Sequence, residues 1–274
     1  MTTATPATTP TTTAPEPAGT GRPLSARAPG ARSLYLTILR WKLLSVGPML
    51  PVVIVLQIFM AAGIILGFAL LIPGIDDLPG IALHMSTGAP TVQLLTVGLV
   101  MVPQAVATER NNGTFAYMRS LPVPRPILLI ADLTMWAVIA LPGLAASLTV
   151  ALLRFDLSLD PHWPLLVSAA LLVSSVSATV GYAIAVALRP MVAQAATQAL
   201  IFFILLFSPV TFPASHLPRW LEVLHDWLPI RPAADLLRAG LASGDYTWQV
   251  RDLIVLLVWA AVSLVICLRA LSRR

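Results

Sequence analysis

Apolar residues fall along this chain in six long blocks, at about 48–72, 88–108, 126–153, 164–188, 190–213 and 250–269. Each holds about the 20 residues that a helix needs to cross roughly 30 Å of hydrocarbon. Inside lipid an apolar run must satisfy its own backbone hydrogen bonds, so each block predicts a helix. The pattern predicts an all-α integral membrane protein with six transmembrane helices. Leu188-Arg189-Pro190 is the whole connection between the fourth and fifth blocks, which makes that turn tight. Pro103, Pro142 and Pro209 lie inside or near block ends, where each removes a backbone donor and can kink its helix.

The polar intervals organise the rest. Residues 1–32 are rich in Thr, Ala and Pro and lack aromatics, so they bury too little apolar surface to offset their ordering entropy. They are expected as a disordered tail ahead of a transmembrane domain over 33–274. They are not read as a secretory signal, since no apolar core follows at the usual distance. From Ser33 to Leu44, Leu34, Tyr35, Ile38, Trp41 and Leu44 recur near helical spacing, with Arg40 and Lys42 among them. This reads as an N-terminal amphipathic helix on the membrane surface, or else as the start of the first span. Between the fifth and sixth spans, Trp220, Leu221, Leu224, Trp227 and Leu228 form one apolar stripe, and Pro232 suits the first turn of a second helix ending at Gly240. Two short interfacial or re-entrant helices are expected there.

Basic residues orient the chain. Arg22, Arg27, Arg32, Arg40 and Lys42 precede the first span, and Arg110, Arg119 and Arg125 fall between the second and third. Arg189 marks the fourth turn, and Arg269, Arg273 and Arg274 the end, whereas Asp76 and Asp77 stand without a base in the first loop. Both termini are therefore expected to be cytoplasmic, with the segment before the sixth span outside.

Composition agrees. Charged residues make up 11% of the 274, against roughly 25% in soluble chains, and the mean hydropathy is +0.85. Lys and Arg exceed Asp and Glu by 17 to 12, but they sit between spans, as topology signals do, and no nucleic-acid partner is expected. Cys267 is the only cysteine, so an internal disulfide or cysteine cluster is excluded, and a small apolar filler is expected. Lys42 is the only lysine and follows Trp41, so the chain has no phosphate-binding loop of the G-x-x-x-x-G-K-[ST] type.

Catalytic constellations are sparse. His84, His162, His216 and His225 fall in expected external loops without an H-E-x-x-H pair, and surface polarity is the expected role of His216 and His225. Ser174, Ser175, Ser177 and Thr179 suit close helix packing. Asp132 is the one acid expected inside a span, either a proton relay or an interfacial anchor two turns from Arg125. Gln93 and Gln104 are eleven apart and return to nearly one face; Gln194 and Gln198 share a face with Phe202. Amides facing lipid are unfavourable, so these faces are either packing contacts or the lining of a substrate path.

After the second span come Glu109-Arg110-Asn111-Asn112-Gly113-Thr114, then Phe115, Tyr117, Met118 and Arg119, then Leu121-Pro122-Val123-Pro124-Arg125. A short charged and apolar helix at the membrane surface could dock into a cytosolic partner; a solvated turn is the plainer reading. These motifs, with Leu217-Pro218-Arg219-Trp220 and Leu228-Pro229 before the last span, resemble the permeases of type-2 ABC exporters over residues 33 to 274. Asn111 and Asn112 stand where charged residues are frequent in that family.

The resemblance implies a coupling helix using Glu109, Arg110, Gly113, Thr114, Phe115, Met118 and Arg119 to contact two copies of a separate P-loop ATPase. ATP and magnesium would sit on that partner, and no cofactor on this chain. It implies a second permease half, identical or related, and export of a small amphipathic substrate, such as a drug or antibiotic, across a bacterial cytoplasmic membrane. Gln93, Gln104, Gln194, Gln198 and Phe202 would be candidate lining. An ion-coupled carrier and an intramembrane enzyme are the rival readings.

Overall fold

The computed structural model describes residues 30–72, 74–155, 159–208, 210 and 218–272. The tail to residue 29 lies outside the described residues, as do the expectations for Pro209, His216, Leu217, Arg273 and Arg274. The described residues form α-helices and short turns, with no strand among them. The helices are α1 (Ala31–Val46), α2 (Leu50–Leu71), α3 (Pro79–Thr96), α4 (Val102–Asn111), α5 (Thr114–Ser120), α6 (Arg125–Phe155), α7 (Trp163–Ala187), α8 (Pro190–Phe207), α9 (Arg219–Trp227), α10 (Ile230–Leu241) and α11 (Val250–Ser272).

Among the described residues, six helical runs are long and apolar enough to span a membrane: Ala31–Leu71, Pro79–Asn111, Arg125–Phe155, Trp163–Ala187, Pro190–Phe207 and Val250–Ala270. The second begins at Pro79 rather than 88. Ser86, Thr87, Thr91 and Gln93 are all buried in it, so small polar residues hide its first half from a hydropathy reading. The Thr87 hydroxyl meets its own helix, donating to the Leu83 carbonyl at 2.7 Å. The fifth span ends at Phe207, short of 213.

α7 is the hub, packed by α11, α10, α6, α4 and α3. It can be, because its inward positions are small: Ala169, Ala170, Ser174, Ser177, Ala178, Gly181 and Ala185. Neither glycine of this crossing has room for a β-carbon: one at Gly181 would meet the Gly98 carbonyl, and one at Gly98 would meet Ser177. Ser177 donates to the Leu94 carbonyl at 3.3 Å, while Ser174, Ser175 and Thr179 bond within their own helix. Leu94, Val97, Val173, Val176, Leu237 and Leu256 fill the space around this crossing. Cys267 is fully buried beside Val102 and Ala178.

Gly98 lies in a π-helical stretch, Val97–Met101, that joins α3 to α4. A π-bulge amounts to one inserted residue, roughly 100° of extra rotation. Regular helical spacing therefore does not carry from Gln93 to Gln104. Gln93 is buried, and Gln104 is exposed.

Four expectations change. α1 does not present its apolar set as one stripe: Ile38 and Lys42 are buried, whereas Trp41 and Leu44 face out. In α9 the expected stripe also divides, with Leu221 buried and Trp220 and Trp227 exposed. His225 is not surface polarity. It is fully buried, bonds the Leu221 carbonyl at 2.8 Å and stacks on Phe203. His84 lies in α3 rather than in a loop, and its Nε2 is 2.9 Å from Arg238 of α10. α10 itself is buried along nearly its whole length against α3, α7 and α11.

Candidate functional site

The turn from α4 to α5 is built from one glycine and three inward ties. Gly113 caps α5 at φ +77°, where an L side chain costs about 1–2 kcal/mol. No atom stands within 4 Å of its missing β-carbon, so the constraint is backbone shape and not crowding. Arg110 donates to the Leu188 carbonyl at 2.7 Å and to that of Ala185. These acceptors belong to the C-terminal end of α7, where carbonyls lack helical partners and a cation is favoured. Phe115 packs on the cluster of Val102, Val106 and Tyr182. Met118 is buried, with Sδ 3.6 Å from the Lys42 Nζ.

Arg110, Phe115 and Met118 thus hold the turn to the bundle, while Asn111, Asn112, Gly113, Ala116 and Tyr117 form its free face. Tyr117, 61% exposed, is the largest group on that face. Glu109 and Thr114 are half-buried, and the Arg119 side chain lies outside the described residues. A cavity of about 250 Å³, lined by Arg110, Phe115, Ala116, Val186 and Ala270, opens between α5 and the ends of α7 and α11. Behind the turn, Lys42 forms an ion pair with Asp132. The charged partner of Asp132 is thus Lys42, from α1, rather than a base on its own helix. The signal was in the sequence, since the one acid placed in a span and the one lysine near it are natural partners when buried charge must be neutralised.

The amides fall into two groups. Gln93 donates to the Gln57 carbonyl at 3.0 Å, and Gln57 donates to the Ile139 carbonyl at 3.0 Å. This chain of amides stitches α3 to α2 and α2 to α6, so Gln93 sits within a packing contact. Gln104, Gln194, Gln198 and Phe202 lie on exposed faces of α4 and α8, two helices that pack together. Beside α8, an apolar groove of about 550 Å³ runs along α2, lined by Phe59, Met60, Gly63, Gly67, Leu205 and Leu206. Among the described residues no group of three His, Cys, Asp or Glu could hold a metal ion.

Six membrane-length helices, with charge gathered at their ends and amides between them, define a polytopic membrane protein. Residues 89–269 match the family model described as ABC-2 family transporter protein, and the chain belongs to that family. It is the membrane-embedded permease of an ABC transporter, a transport subunit and not itself a catalyst, in a family that works with an ATPase subunit. No curated protein matches the chain.

Proposed function

We propose that the chain is the permease half of an exporter, driven by two copies of a separate ATPase that bear ATP and magnesium. The observation that carries the reading is α5: a short helix tied to the bundle on one side and open on the other, with Tyr117 presented. Closure of the ATPase pair would push on that open face. Glu109, Arg110, Gly113, Thr114, Phe115, Met118 and Arg119 form the proposed coupling element. Some hold it to the bundle and others shape its free side.

A second permease half, identical or related, completes the path. The exposed amides of α4 and α8 support this, because Gln104, Gln194 and Gln198 are unfavourable against lipid and suited to a partner or to water. The apolar groove beside them suits a small amphipathic substrate, such as a drug or antibiotic, leaving a bacterial cytoplasmic membrane. Both chain ends and α5 would face the cytoplasm. The ion pair of Asp132 with Lys42 weighs against a proton-coupled carrier, which needs an acid able to exchange protons.

The test is photocrosslinking from position 117 in native membranes, with mass spectrometry of the product. A P-loop ATPase crosslinked from 117, and not from position 245 near the opposite end, supports the reading. Capture of the chain without any ATPase overturns it.

A further inference from the structure

The geometry points to a lock: the Lys42–Asp132 ion pair fastens α1, α5 and α6 into one rigid body that carries a push on α5 into the third span. What pushes on α5 rests on the coupling reading above; the lock rests on the geometry of these residues.

Three helices meet at this pair. Lys42 comes from α1, Asp132 from α6, and the Met118 thioether of α5 lies against the ammonium. The two charged side chains are 5% and 11% exposed. Around them, Tyr35 donates to the Thr134 hydroxyl at 3.0 Å, and Ile38 packs on Leu128 and Ala131. Glu109, at the end of α4, lies in the electrostatic field of both Lys42 and Asp132. Lys42 lies outside the residues matched by the family model and Asp132 inside, so the pair joins the N-terminal helix to the family core.

A buried ion pair is a poor device for stability alone, because desolvation offsets most of the attraction and apolar residues often serve as well. It is a good device for register. Apolar faces slide over one another at little cost, whereas separating two desolvated charges by a few ångströms costs steeply at low dielectric. Helices joined in this way are free to move together and are held against sliding. The outward Trp41 and Leu44 give α1 a footing in the membrane interface, against which the locked unit would turn.

The experiment places spin labels at Trp41→Cys and Tyr117→Cys, both exposed positions, in a Cys267→Ser background. The full chain, in lipid nanodiscs with whatever ATPase accompanies it, is measured by dipolar spectroscopy before and after ATP with vanadate. With Lys42 and Asp132 intact, a narrow distance distribution that nucleotide leaves unchanged is expected. Lys42→Met and Asp132→Asn should each widen it roughly twofold, as an ensemble freed of one constraint does. The exchanged pair, Lys42→Asp with Asp132→Lys, should narrow it again. Single variants as narrow as the parent overturn the lock. Should a single variant fail to accumulate, Lys42→Met with Asp132→Leu, apolar on both sides, decides: a wide distribution supports the lock and a narrow one overturns it. Failure of the coupling reading shows separately, as absence of any ATPase from nanodiscs of the unlabelled chain with Tyr117 intact, while the widths in the labelled chain still follow the pair.

Discussion

The guanidinium of Arg110 reaches the Leu188 carbonyl at 2.7 Å, closing the end of α7 with a side chain from the end of α4. The second span is thereby tied to the turn between the fourth and fifth. Arg110→Ala leaves the Ala185 and Leu188 carbonyls without this donor, at a cost of about 1–3 kcal/mol. A lower melting temperature of the purified chain in detergent is the expected outcome. Arg110→Lys should recover only part, because an ammonium keeps the charge but loses the planar fork. An unchanged melting temperature for Arg110→Ala would show that the contact does not hold the spans together.

Gly113 gives a test of α5 itself. Its φ of +77° is hostile to a β-branched residue, and the open space around it means that strain, not collision, would follow substitution. Gly113→Val should therefore insert normally and reorient α5, lowering transport per ATP hydrolysed about tenfold or more. Gly113→Asn should be milder, since Asn tolerates left-handed backbone. Glu109→Ala is expected to uncouple as well. Normal coupling in both Gly113→Val and Glu109→Ala would remove the coupling role from this turn.

Much of this architecture was legible in the chain. Six apolar blocks gave six spans because lipid allows few alternatives to a self-satisfied helix. The turn between α4 and α5 stood out through Gly113 and the prolines after it. Local periodicity failed where tertiary contacts intervened. Regular spacing put Gln93 and Gln104 on one face, and the π-helical stretch between them moved them apart. Lys42 reads as a topology marker until α6 is placed beside it. His225 reads as surface until Phe203 covers it. In each case a distant residue decides the environment, and spacing along one helix carries no word of it.

The two groups of glutamines should respond differently to the same change. Gln93→Leu removes the donor to the Gln57 carbonyl in a buried place, and the chain should lose about 1 kcal/mol of stability or slightly more. Gln198→Leu alters an exposed position and should leave the melting temperature of the chain unchanged. If α8 faces a path or a second half, Gln198→Leu should instead reduce transport or crosslinking between halves. A loss of melting temperature at Gln198, with transport intact, would reverse the assignment.

At the opposite end of the bundle, Arg238 should prove the least replaceable basic residue. It is 1% exposed, donates to Asp235 at 3.2 Å and to the Val210 carbonyl, and stands 2.9 Å from the His84 Nε2. A guanidinium only donates, so Nε2 must accept and the His84 proton must sit on Nδ1, toward the Tyr246 hydroxyl at 3.4 Å. One side chain thus serves α3, α10 and the segment after α8, and Gly88, by lacking a β-carbon, makes room first for the Val210 carbonyl and then for the guanidinium it accepts from. Arg238→Met keeps much of the volume but removes the donor that these acceptors share, costing on the order of 2–4 kcal/mol. The expected result is a large fall in melting temperature, with poor accumulation in the membrane. Arg238→Lys should rescue little, because a single ammonium cannot match the fork that spans these acceptors. Near-parental melting of Arg238→Lys would mean that charge alone, and not the shared hydrogen bonds, holds α10 in the bundle.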